Sequence, residues 1–83
     1  MMTDTLTVRV NGDEHAVASG ATLLDLVVRL TGHALRPDGS RADGGRLGVA
    51  AAVDGTVVPR SRWSARALAA GDEIEVVTAV QGG

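Results

Sequence analysis

The sequence predicts an α+β domain: a mixed sheet of four to five strands with one main helix packed across it. Three observations carry this. Two stretches alternate apolar and polar residues and break at Asn11-Gly12 and Asp54-Gly55. One segment, Leu23 to Thr31, repeats apolar residues at helical spacing. A last strand-like run, Glu73 to Val80, stands apart from both hairpins.

The elements follow in order. Leu6, Val8 and Val10 alternate with Thr7 and Arg9, the period of a half-buried strand. Asn11-Gly12 then predicts a type I′ turn, because both positions tolerate positive φ. A return strand runs from Asp13 to Val17, and Ser19-Gly20 breaks it. Thr22 is placed as a helix N-cap, with Asp25 near the positive helix end. Leu23, Leu26, Val27 and Leu30 form one apolar stripe, and Gly32 is placed to cap the C-terminus.

Residues 33–46 hold Pro37-Asp38-Gly39 and Gly44-Gly45 and show no periodicity, which predicts a polar, flexible loop. Leu47, Val49, Ala51 and Val53 alternate again, Asp54-Gly55 gives a second I′ turn, and Thr56 to Val58 returns. Pro59 ends that strand. Ser61 is placed to cap one helical turn through Trp63 and Ala65. Ala69 to Asp72 reads as a turn before the last strand.

The order is therefore β-β-α-β-β-turn-β. The last strand is too distant from either hairpin to pair only with its neighbour. Set centrally beside the first strand and parallel to it, it gives a β-grasp, or ubiquitin-like, arrangement. Residues 1–80 form this domain and 81–83 an extended tail.

Composition excludes much else. The chain has 83 residues, and a domain that short buries only about 60% of its unfolded surface. With no Phe or Tyr and one Trp, its core is Val, Leu and Ala. A multi-residue active site enclosed by this chain alone is disfavoured. No Cys means no disulfide, no thiolate nucleophile and no Cys-type zinc site. All eight Lys and Arg residues are Arg, and the net charge of -2 speaks against nucleic acid or a membrane surface. The N-terminus lacks an export pattern, and no apolar run is long enough to span a bilayer. A cytoplasmic location is expected.

No enzyme constellation is present. Without Lys there is no phosphate-binding Gly-x-x-x-x-Gly-Lys loop. His15 and His33 have no second ligand at metal spacing, and His15 alternates with inward positions, as a surface or edge residue would. The serines read as turn and cap residues, and no carboxylate pair suits acid–base work. Arg60, Arg62 and Arg66 surround Trp63. Either Trp63 plugs one end of the core among solvated arginines, or this edge anchors a partner.

On the last strand, Ile74, Val76, Thr78 and Val80 share the core face. Glu73, Glu75, Val77 and Ala79 share the other, so Val77 and Ala79 are apolar groups at the surface. They are scatter or a docking patch. Gly82-Gly83 follows, reached through Gln81. Two residues without Cβ can thread a narrow channel, delivering the α-carboxylate of Gly83. A carboxylate is inert to nucleophiles until activated. Adenylation with ATP would make it electrophilic, and a sulfide or persulfide donor could then convert it to a thiocarboxylate. The bland alternative is a frayed terminus that happens to contain Gly.

Three segments resemble a known family. They are Val10-Asn11-Gly12, the stretch Val53-Asp54-Gly55-Thr56-Val57-Val58-Pro59-Arg60-Ser61-Arg62-Trp63, and Gly71-Asp72-Glu73-Ile74-Glu75-Val76-Val77 leading to Gly82-Gly83. The chain resembles the ubiquitin-like sulfur carriers (ThiS/MoaD-like), most closely the ThiS-type carrier of thiamine thiazole biosynthesis. The Val-Pro-Arg-x-x-Trp element separates it from molybdopterin-synthase small subunits.

The resemblance implies a protein co-substrate, not an enzyme, that binds no cofactor or metal itself. An E1-like adenylyltransferase of the ThiF/MoeB kind would use ATP to adenylate Gly83. A sulfur donor such as a cysteine desulfurase would supply the thiocarboxylate sulfur, and a ThiG-like thiazole synthase would accept it. Val77, Ala79, Val58, Pro59 and Trp63 are the candidate docking residues, with Gly82 and Gln81 giving the tail access. The 33–46 loop is longer than expected for a compact carrier, which fits a surface insertion or a different client. Two alternatives stand: a sulfur carrier for molybdopterin, cysteine or another product, and a β-grasp interaction module without covalent chemistry.

Overall fold

A computed structural model describes residues 4–78. Its five strands are β1 (Thr5–Val10), β2 (Asp13–Ala18), β3 (Val49–Val53), β4 (Thr56–Val58) and β5 (Glu73–Thr78), with one α-helix, α1 (Leu23–Thr31). They form one sheet in the order β2-β1-β5-β3-β4. β5 lies at the centre, parallel to β1 and antiparallel to β3. This is the β-grasp arrangement the element order predicts.

Both turns form as their residues dictate. Asn11 and Asp54 each adopt φ 51°, followed by Gly12 at 88° and Gly55 at 83°. Two-residue turns of this hand match the strand twist, so they fix register. Val10 faces Asp13, and Val53 faces Thr56. Strand alternation then assigns every side chain to a face.

Helix α1 begins at a capping box. Thr22 Oγ1 accepts from Asp25 N–H at 3.2 Å, and Asp25 Oδ2 accepts from Thr22 N–H at 2.9 Å. Gly32 closes the helix at φ 74°, donating to Val28 O at 2.9 Å. Leu23, Leu26 and Val27 are buried against the sheet. Leu30, expected in the same stripe, is 38% exposed. It overhangs a hollow at the helix end instead of meeting the sheet.

The core is aliphatic around one ring. Val8, Val10, Val17, Val49, Ala51, Val53 and Ile74 face α1 from the sheet. Trp63 is fully buried, and its indole N–H donates to Val58 O at 2.8 Å. It sits in a 3-10 helix, Arg60–Ala65, that opens at Pro59 without a side-chain cap. Ser61 lies inside that helix, so the expected Ser61 cap does not form.

Leu68 is buried without any periodic signal. Leu68 N–H donates to Ala21 O and Leu23 N–H to Arg66 O, both at 2.9 Å, which ties this segment to the helix start. Arg66 is not simply solvated. It pairs at 3.5 Å with Asp72, whose buried carboxylate also accepts from Ala69 N–H at 2.8 Å.

Residues 33–46 form neither helix nor strand, but they bond internally. Arg36 N–H donates to Ser40 O at 2.7 Å and Ala42 N–H to Ala34 O at 2.8 Å. The loop also touches the body. A Cβ on Gly39, at φ 85°, would stand 2.6 Å from Arg60 Cβ and 2.8 Å from Arg60 O. Only glycine fits so close to that backbone.

Candidate functional site

α1 and the core cover one face of the sheet; the other face carries the candidate site. Glu75 and Val77 of β5 point to it, as do Ala50 and Ala52 of β3. The register pairs Val77 with Ala50, and Ala52 with both Glu75 and Val57. Val57 is 70% exposed and Val77 62%. They stand on opposite sides of a strand whose outward residues are only methyls. The result is a shallow apolar depression of about 230 Å³, with Glu75 on its wall. Arg60 borders an adjoining hollow with Ala50 and Val77. The site thus offers two valines, a methyl floor, one anion and one cation.

The expected docking residues separate on inspection. Val77 lies where alternation puts it. Val58 does not share its face: it is half-buried and packed against the core, and its carbonyl holds the Trp63 indole. Val57 is the outward residue of β4. The two-residue Asp54-Gly55 turn already determines this, since Val53 faces inward and Val57 lies across from Ala52. Trp63 has no exposed surface, so as a docking residue it is corrected to a core plug. Pro59 is exposed and lines an edge notch with Val57 and Arg62. Ala79, Gln81, Gly82 and Gly83 lie outside the described residues.

The histidines share a hollow that their spacing in the chain hides. β2 pairs His15 with Val8, so His15 faces the helix side at the sheet edge, not the open face. His15 and His33 both line the hollow of about 530 Å³ under Leu30, beside Asp13 and Thr31. Among the described residues no group of three or more His, Cys, Asp or Glu could hold a metal ion. Among the described residues no helix is long and apolar enough to cross a membrane.

Two loop carboxylates are held below their ordinary value. The Ser40 hydroxyl and backbone N–H bind Asp38 at 2.6 and 2.9 Å and lower it. The Arg41 guanidinium, then Gly45 N–H, do the same for Asp43.

The chain, whose central strand borders an open apolar face, matches one family along nearly its whole length. The ThiS family model covers residues 7–83. The chain belongs to the ThiS family. It is a ThiS-type sulfur carrier, in agreement with the motif resemblance. Among solved structures it is similar to the thiamine biosynthesis protein ThiS from Geobacter metallireducens. That similarity has a TM-score of 0.64 at 22% identity, covering 94% of this chain and 100% of the other. At that identity the likeness speaks for the β-grasp fold. Among curated proteins none matches this ThiS-family chain.

Proposed function

We propose that the chain carries sulfur on its C-terminus for the thiazole of thiamine. The single observation that carries this reading is the family match, which extends through Gly82 and Gly83. An E1-like partner transfers the AMP of ATP to the Gly83 carboxylate, releasing pyrophosphate. A sulfide donor attacks the acyl carbon and displaces AMP, leaving a thiocarboxylate. A persulfide donor displaces AMP to give an acyl disulfide; a partner thiol then cleaves its S–S bond, releasing the thiocarboxylate and leaving a disulfide on the donor side. Thiazole synthase takes that sulfur. The carrier is consumed and regenerated as a cytoplasmic co-substrate, and ATP is bound by its partner.

The chain's own contribution is presentation. Val57 and Val77 on the open face give a partner an apolar contact, while Glu75 and Arg60 at its rim set orientation. A few apolar groups at the centre of an interface carry most of its affinity. Gly82 and Gly83 then enter a narrow catalytic channel, since neither carries a Cβ.

The test is the intact mass after incubation with ATP, a sulfur donor and the E1-like enzyme of the same source. The expected gain is one oxygen replaced by sulfur, absent when Gly83 is deleted. A second arm uses Val77→Glu and Val57→Glu. Each should raise the KM for the carrier about tenfold or more at unchanged kcat. A wild-type chain that gains no mass, while a control carrier does with its own enzyme, overturns the reading.

A further inference from the structure

We infer that Asn11 is a positioning residue that holds the outgoing half of β5, and with it Val77 of the open face. The inference rests on the carrier reading for its functional consequence, and on geometry alone for the clamp.

The parallel ladder between β1 and β5 pairs Arg9 with Glu73 and Val10 with Ile74. Then β1 turns away at Asn11-Gly12. A strand residue points its N–H and C=O to the same side, so Val76 directs both toward the place β1 has left. The Asn11 side chain fills that place. Its Nδ2–H donates to Val76 O at 3.1 Å, and its Oδ1 accepts from Val76 N–H at 3.0 Å. Asn11 N–H also donates to Ile74 O at 2.9 Å. The primary amide, holding one donor and one acceptor side by side, imitates one more peptide of β1.

The consequence follows from what lies beyond Val76. Val77 of the docking face is the next residue, and Thr78 is the last of β5. On the opposite side β3 runs in register with this end, Ala50 opposite Val77 and Val49 opposite Thr78. On the β1 side, among the described residues, the Asn11 amide is the attachment nearest that end. Strand ends open at low free energy, so a loss there is felt locally and not by the whole domain.

Asn11→Gly tests this, because glycine keeps the φ of 51° and removes only the amide. Asn11→Asp keeps the acceptor and replaces the donor by an oxygen facing Val76 O. Amide hydrogen exchange of the full chain reads the clamp. In Asn11→Gly the Val76 amide should exchange about tenfold faster, while the Val8 amide in β1 is unchanged. With the E1-like enzyme, the KM for both variants should rise several-fold, up to about tenfold, at constant kcat.

Equal acceleration at Val76 and Val8 would overturn the clamp, as would no acceleration at either. A faster Val76 with an unchanged KM would overturn the positioning role. Should Asn11→Gly fail to fold, Asn11→Asp decides by its KM alone. A wild-type chain that accepts no sulfur would overturn the carrier reading, and with it any role in loading, while the exchange arm still decides the clamp.

Discussion

The two tight turns share a backbone and differ in one side chain, and that difference decides what each does for β5. At the second turn, Asp54 N–H donates to Glu73 O at 2.7 Å, and Asp54 Oδ1 accepts from Glu73 N–H at 3.1 Å. The main chain supplies the donor, so an acceptor-only carboxylate suffices. At the first turn, the Asn11 main chain is occupied with Ile74, and the side chain alone must satisfy both groups of Val76. Of the two side chains, only the amide has both functions. Asp54 secures the entry of β5, and Asn11 its exit. Turn propensity alone treats Asn-Gly and Asp-Gly as equivalents.

The largest expected effect breaks the comparison at its base. The second hairpin carries Val58, whose carbonyl receives the Trp63 indole. Trp63→Ala should cost about 3–5 kcal/mol, most of the stability of so small a domain. A free energy of unfolding lowered by only a few tenths of that amount would refute Trp63 as the core plug.

The sharper test exchanges the two side chains. Asp54→Asn keeps an oxygen for Glu73 N–H and should change stability by about 0.5 kcal/mol or less. Asn11→Asp loses a donor and sets a carboxylate against a carbonyl, so it should lower the protection of the Val76 amide by about 1–2 kcal/mol. Equal losses of protection, at Glu73 in Asp54→Asn and at Val76 in Asn11→Asp, would show that the turns are interchangeable after all.

The smallest effect lies in the 33–46 loop, where Asp38 and Asp43 also bond local backbone N–H groups. Their folded values lie below the ordinary 3.8. A lowered carboxyl stabilises the folded loop fully above its unfolded value, and the contribution is lost as pH falls through the folded one. Ser40 and Gly45 amides should therefore lose protection only below about pH 4, while Val76 keeps its own. Loss at neutral pH would contradict the assignment.

Much of this was legible in particular residues. Thr22, Asp25 and Gly32 bound the helix because capping is local chemistry. The Asp-Gly turn contained the answer for Val57 against Val58, since a two-residue turn fixes register and register fixes the face. The site itself was legible at Val77 by alternation. Leu68, the Arg66–Asp72 pair and the shared hollow of His15 and His33 were not, because each joins residues with no common period.

By itself, the sequence determined the element order, both turns, the helix limits and the family, all of which depend on neighbours a few residues apart or on motifs read in place. The tertiary structure decided which side of each strand is free, that Trp63 is sealed inside, and that an asparagine at one hairpin grips a strand 65 residues away. Those outcomes depend on packing across the sheet. No short-range preference encodes which backbone groups a departing strand leaves unpaired.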